Sequence, residues 1–394
     1  MAEIETETLE RTEERNMHYS EVENHIFLSL TENCNLNCSY CFEKETRSTE
    51  HMDSQTAIEI VEKELLKPSD YPFLKIDLFG GEPFLEFDTF RTICEHTWSK
   101  SWNRNYMIYT TTNGTLVHGE IKEWLSKNAY RIQCSLSLDG PKLVQDINRS
   151  HSFNEIDYKF FADTWPDCYV RAVIFGNTVS KTYDSIRFLH ANFKKVNARV
   201  AFGFDWTRSN YVDVFREQVY RLIDFYLEHP EIEPATLLNV KIVDAAFPDK
   251  AFFAYCGAGK CVASYSVEGD EYPCPQFKAI CKQRNITMHK LVDLQSVDAE
   301  NLLEEKCKKC ICKNICPTCM AGYFQPPKSI KNMSLTECNI FKIQAYATAV
   351  VKEAKLIKKY GSLDAEMSEI DKITSRAVAN IKEAYENNSW YVVG

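Results

Sequence analysis

The chain has 394 residues, with 46 Lys and Arg against 56 Asp and Glu, for a formal charge of −10. With 44% hydrophobic and 12% aromatic residues it can bury a sizeable core, which excludes wholesale disorder. An acidic chain whose basic residues never run beyond a pair has no non-specific grip on nucleic acid, and no apolar stretch approaches the roughly 20 residues of a membrane-spanning helix.

Residues 1–24 read as an acidic extension without a hydrophobic signal core. The expected location is the cytoplasm, a reducing compartment in which sixteen cysteines point to metal rather than to disulfides. From residue 25 onward, strand and helix patterns alternate. Strands are predicted over 25–31, 75–79, 106–111, 131–138, 169–175 and 198–204. Helices are predicted over 55–66, 87–99, 118–127, 156–164, 182–193 and 212–228. Such alternation implies an α/β fold with parallel strands joined by right-handed crossovers. Six units are too few for the closed eight-stranded barrel, so residues 25–230 are expected to form a partial (β/α)6 TIM-like barrel whose chemistry lies at the C-terminal strand ends. A connecting segment follows over 231–255. Residues 256–340 are loop-rich and hold ten of the sixteen cysteines, with a hairpin expected to turn at Gly269. Residues 341–394 read as C-terminal helices, the last of them a capping or docking helix.

The first predicted strand runs into Cys34-Asn-Leu-Asn-Cys38-Ser-Tyr40-Cys41, a CxxxCxxC loop. A [4Fe–4S] cluster is usually held by four cysteines; three would leave one iron open to a non-protein ligand, by the logic of an open catalytic zinc position. From spacing alone, a zinc site or unligated thiols are the alternatives. The second strand ends in Gly80-Gly81-Glu82-Pro83, where glycines allow close approach to a ligand. Strand three ends at Asn113-Gly114, and strand four at Ser137-Leu-Asp139-Gly140. Together these motifs resemble the radical S-adenosylmethionine (SAM) superfamily. The resemblance implies that Cys34, Cys38 and Cys41 hold a cluster whose open iron is chelated by SAM, which on reduction yields a 5′-deoxyadenosyl radical. It also implies that Tyr40, Gly80, Gly81, Glu82, Asn113, Ser137 and Asp139 line the SAM site. Arg149 and Arg171 are candidates for the SAM carboxylate, since Arg suits carboxylates.

Beyond residue 255, Cys256 is followed after twelve residues by Gly269 and after four more by Cys274. Then come Cys307-x2-Cys310-x5-Cys316-x2-Cys319, and Cys338. This array resembles the SPASM extension of radical SAM enzymes, departing by one residue between Cys316 and Cys319. The resemblance implies two auxiliary [4Fe–4S] clusters, one on Cys256, Cys261, Cys274 and Cys319, the other on Cys307, Cys310, Cys316 and Cys338. Cys312 is an extra thiol inside the array. The total implied is three clusters plus SAM, with an electron donor such as flavodoxin or ferredoxin as partner.

Members of this group typically act on a ribosomally made peptide, so thioether or carbon–carbon cross-linking of such a peptide is the expected activity. The alternative from the same group is the sulfatase-maturing branch, which forms formylglycine and typically carries an Asp directly after the cysteine matching Cys274. Here Pro275 follows, and proline takes no proton. A non-catalytic iron–sulfur or zinc protein is the reading from another class; it has no need of the Gly-Gly-Glu-Pro element. The 24 residues ahead of strand one are too few for a separate leader-binding domain.

Overall fold

The computed structural model describes residues 23–201, 204–206, 210–249, 256–285, 303–317, 319, 321 and 335–391. The acidic extension lies almost wholly outside these residues. Six parallel strands carry the fold: β1 (Glu23–Thr31), β2 (Phe73–Gly80), β3 (Asn105–Thr112), β4 (Ile132–Leu136), β5 (Tyr169–Ile174) and β6 (Lys195–Val200). β1 to β4 are hydrogen-bonded in sequence order, β5 pairs with β6, and a bridge between Ser137 and Arg171 joins the two groups. The last strand lies at 195–200 rather than 198–204, because Val196 and Ala198 are the apolar positions that turn to the helices.

Helices α1 (Ser54–Leu66), α2 (Phe87–Ser99), α3 (Gly119–Asn128), α4 (Lys142–Asn148), α5 (Tyr158–Thr164), α6 (Thr182–His190) and α7 (Tyr211–Glu228) fill the crossovers. The α4 helix, absent from the sequence-based expectation, follows Pro141, whose fixed φ suits the start of a helix. Strand residues facing these helices are sealed: Ile26, Leu28 and Leu30 on β1, and Leu74, Ile76 and Leu78 on β2, are at most 1% exposed. The alternate residues, facing away from the helices, are different. His25, Lys75 and Asp77 are buried there, while Phe27, Phe79, Tyr109, Gln133, Arg171 and Asn197 are half-buried, although barrel interiors are normally filled with branched side chains.

The cysteine-rich region joins this architecture directly. Its strand β7 (Val262–Tyr265) pairs in parallel with β1, on the side opposite β2, and turns through Gly269 (φ +87°) into antiparallel β8 (Glu271–Tyr272). Next comes α8 (Pro275–Arg284), also absent from the expectation, with Pro275 in its first turn, and then a single turn, α9 (Glu305–Lys308). The C-terminal helices α10 (Leu335–Tyr360) and α11 (Glu369–Glu386) build a second apolar cluster with Ile242, Ile315 and Trp390. Among the described residues no helix is long and apolar enough to cross a membrane.

His190, at the end of α6, is packed beside Phe225 and hydrogen-bonded to Tyr226 Oη at 2.8 Å. Burial pushes its pKa down to about 4. A folded-state pKa below the unfolded one means that the unfolded chain gains a proton first as pH falls. Stability should therefore be lost from about pH 6.5 towards pH 4, by roughly 2 kcal/mol between pH 7 and pH 5. Urea unfolding of wild type and His190→Phe at both pH values checks this; the variant should lack that part of the slope.

Candidate active site

The three-cysteine loop starts where β1 ends, and neighbouring elements fix it by backbone contacts. Gly81 N donates to Thr31 O and Glu82 N to Asn33 O, each at 2.9 Å. Glycine is required at both positions before Glu82, because a Cβ on Gly80 would overlap Thr31 O and one on Gly81 would overlap Asn33 O. On the other flank, Ser39 N donates to Asn148 O (3.0 Å) and Asn37 N to Ser150 Oγ (2.8 Å). Ser150 and His151 hold φ of +56° and +59°, a left-handed pair that costs energy in non-glycine residues and turns the chain just after Arg149.

Cys34 and Cys41 are half-buried, Cys38 is buried, and none is in a disulfide. Arg47 braces the loop, donating to Leu36 O at 2.6 Å and to Cys41 Sγ at 3.4 Å. Burial pushes the Cys34 thiol up to about 11, so cationic partners such as Arg47 are what favour the thiolate. Among the described residues no three His, Cys, Asp or Glu side chains converge closely enough for a single metal ion. A multi-iron cluster spreads its thiolates over different irons and sets them wider apart. Three unpaired thiols on one braced loop, soft donors beside a guanidinium, suit such a cluster.

Asp139 organises the far side of the loop. Its carboxylate accepts from Tyr40 Oη (2.6 Å), Asn148 Nδ2 (2.9 Å), Arg149 Nε (3.1 Å) and Val173 N (3.0 Å). It thus ties the cysteine loop to α4 and β5, and Arg149 lies over the Tyr40 ring at 5.3 Å. Glu82 is 1% exposed and accepts from Thr112 Oγ1 (2.7 Å), Asn113 N (2.8 Å) and Phe84 N (3.2 Å). Burial nevertheless pushes its pKa up to about 7. Asn113 reaches the loop through Asn35 Oδ1 at 2.8 Å. Ser137 is half-buried, with its backbone N–H on Thr112 O. Arg171 is elsewhere: its electrostatic neighbours are His25, Lys75, Asp77 and Cys168 rather than the cysteine loop.

In the cysteine-rich region, Cys274 lies in electrostatic reach of Cys319 and Cys256, and Cys261 in reach of Cys256. Cys307 neighbours Cys310 and Cys338, and Cys312 neighbours Cys310, Cys316 and Cys338. Cys312 is 2% exposed, and hydrogen bonds from it hold the Cys310 thiol below the usual thiol range.

Sequence reasoning missed Arg47, Asn148 and Lys278. Lys278 Nζ, almost fully buried, lies 3.2 Å from Ser29 Oγ, 3.2 Å from Glu43 Oε1 and 3.9 Å from Glu32 Oε1. It stands one helical turn after Cys274, a spacing that becomes informative only once α8 is recognised.

Residues 25–154 match the family of the 4Fe-4S single cluster domain. The cysteine-type anaerobic sulfatase-maturating enzyme of Clostridium perfringens is 23% identical over 330 residues, covering 73% of this chain and 86% of that enzyme. An uncharacterized protein of Methanocaldococcus jannaschii is 28% identical over 182 residues, 45% of this chain, and the match spans 59% of that relative's length. In three dimensions the chain superposes on native anSMEcpe with bound AdoMet and Cp18Cys peptide, with TM-score 0.63, 17% identity, and coverage of 85% of this chain and 99% of that one. It also superposes on Streptococcus suis SuiB bound to its precursor peptide SuiA, with TM-score 0.51, 16% identity, and coverage of 79% and 74%.

Proposed function

We infer from the chain's being a radical SAM/SPASM-like enzyme that it modifies a ribosomally made peptide, joining two of its residues by a thioether or carbon–carbon bond. The observation that carries this reading is the pairing of one loop of three free thiols with a second array of eight cysteines in the same chain. We assign Cys34, Cys38 and Cys41 to the cluster that meets SAM, Cys256, Cys261, Cys274 and Cys319 to one auxiliary cluster, and Cys307, Cys310, Cys316 and Cys338 to another. When bound, the first cluster and SAM supply one-electron cleavage to a 5′-deoxyadenosyl radical, which takes a hydrogen atom from the peptide.

The chain's own residues prepare that site. Arg47 favours the thiolate form of the loop, and Asp139 holds Tyr40 and Arg149 against it. The Gly80-Gly81 backbone lets Glu82 approach closely, so that its carboxylate can face the SAM ammonium. Asn113 and Ser137 line the neighbouring strand ends. A cross-link would remove two hydrogens from the peptide, one as an atom and the other as a proton and an electron; an auxiliary cluster held by the second cysteine array would, when bound, supply an acceptor for that electron. The external reductant is a flavodoxin- or ferredoxin-type donor.

The similarity to the sulfatase-maturating enzyme, which extends over 73% of this chain, favours formylglycine formation as a second reading. Against it, Pro275 occupies the position after Cys274 and serves as a helix start.

Reconstituted protein should hold about twelve irons per chain, as three four-iron clusters require. Changing Cys34, Cys38 and Cys41 together to Ala should remove about a third of that iron and abolish 5′-deoxyadenosine formation; persistent formation would refute the assignment. Mass spectrometry of a modified peptide separates the two activities. Loss of two hydrogens with fragments joined across residues indicates a cross-link, and an aldehyde confined to one Cys or Ser position indicates formylglycine.

A further inference from the structure

The face of the strands turned away from the helices forms the lumen of the partial barrel, and it is charged: His25, Lys75 and Asp77 are buried there beside the half-buried Phe27, Phe79 and Arg171. Register places its members. His25 pairs with Lys75, and Phe27 pairs with Asp77 on one side and with Ser264 on the other, and residues paired across parallel strands share a face. Arg171 lies on the same inner surface, since its neighbours Val170 and Ala172 point to the helices.

Three polar atoms here are buried without partners: Asp77 Oδ1, Arg171 Nε and Ser264 Oγ. Asp77 is 3% exposed and Ser264 0%. The other Asp77 oxygen is engaged by His25 Nε2 at 3.3 Å. Burial acts to push the Asp77 carboxyl up, but the His25 bond and the charges of Lys75 and Arg171 hold it below the usual range. Burial likewise pushes the His25 pKa down, against the opposing pull of Asp77. Each buried polar atom left unmet costs about 1–3 kcal/mol, and native folds leave few such atoms.

The orphans are of both kinds, a donor on Arg171 and an acceptor on Asp77. A carboxylate placed between them would face the Asp77 charge. An ammonium or guanidinium would face Arg171 and Lys75. An alkyl group would leave both unmet. A neutral group that accepts on one side and donates on the other satisfies both.

We propose that the lumen seats a primary carboxamide, the side chain of a glutamine or asparagine in the peptide substrate, its oxygen accepting from Arg171 Nε and its NH2 donating to Asp77 Oδ1. The proposal rests on the peptide-modifying reading. It gives Arg171 a role in substrate selection instead of contact with the SAM carboxylate.

The test feeds the reconstituted holoenzyme, SAM and reductant a library of short peptides with one randomised position, and reads modification by mass spectrometry. Wild type should prefer peptides with Gln or Asn over those with Glu or Met by about 100-fold in kcat/KM, as sites built to hydrogen-bond a group reject analogues lacking it. Asp77→Asn removes the charge that excludes a carboxylate, so the Gln-to-Glu ratio should move at least tenfold towards Glu, mainly through KM. A merely structural residue would not move that ratio. If Asp77→Asn does not fold, judged by its melting curve, Arg171→Met provides the second measurement and should erase the preference of Gln over Met. Modification without regard to this side chain, a wild-type preference for acidic, basic or apolar peptides, or a ratio unmoved in the variants overturns the proposal. If 5′-deoxyadenosine forms but no peptide is modified, the peptide-modifying reading itself falls, and the lumen proposal with it.

Discussion

Gly81→Ala is expected to lower 5′-deoxyadenosine formation by about 100-fold, the scale on which displacement of a reacting group by about 1 Å acts. The methyl group would overlap the Asn33 carbonyl oxygen and lie 3.1 Å from Cys34 Cβ. Neither neighbour is a flexible side-chain end. The first is backbone and the second belongs to the three-cysteine loop itself, so relief must come from moving the loop away from β2. The displaced segment also carries the hydrogen bond from Glu82 N to Asn33 O, which would separate Glu82 from the thiols it accompanies. The cost in stability should be on the order of 3 kcal/mol, at the upper end for overpacking. Iron content and SAM cleavage measured on the same preparation check the prediction. Wild-type iron with wild-type cleavage would show that the loop tolerates the methyl group.

Lys278→Met should destabilise the chain by about 3–5 kcal/mol, because removing one partner of a buried ion pair leaves the other charge uncompensated. Lys278 is 4% exposed, and its amine is the buried cation beside Glu43. Glu32 retains Lys282, which also reaches Glu50 at 3.4 Å. The uncompensated charge is therefore chiefly Glu43, two residues beyond Cys41. A double-mutant cycle with Glu43→Gln identifies the cause. The double variant should recover much of the loss, whereas simple cavity formation would leave the two effects additive. Melting temperature should fall by about 4–6 °C in the single variant. The same change should loosen the cysteine loop, since Lys278 links it to the helix that starts directly after Cys274.

Much of this was legible in the sequence for physical reasons. Strand alternation around Ile26, Leu28 and Leu30 is a local signal, and so is the helical spacing of Ala57, Ile60, Val61 and Leu65; both survive in the fold. The CxxxCxxC and Gly-Gly-Glu-Pro elements were readable because each chemistry needs its residues at fixed short spacing. What escaped depends on contacts between distant segments. Lys278 meets Ser29 across 249 positions, and Tyr40 meets Asp139 across 99. Asp139 looked from its strand-end position like a ligand-lining group, yet its oxygens are already engaged by four donors of the chain. Arg171 looked like a carboxylate partner because Arg commonly is one; only its position on the inner face of β5 sets it beside Asp77. The α4 and α8 helices were missed because each is short and carries no strong apolar stripe of its own.

The pairing of β7 with β1 has one further consequence. By composition the chain divides near residue 256, but the hydrogen bonding does not, since β1 is an interior strand only because a strand from beyond that point lies against it. His25 N donates to Cys261 O at 2.8 Å across this junction. A fragment ending before β7 would leave the first strand of the barrel as an open edge, with a row of unpaired N–H and C=O groups ready to pair with a second copy. The cysteine-rich region therefore does structural work independent of any iron it carries, by closing the edge along which the barrel would otherwise self-associate.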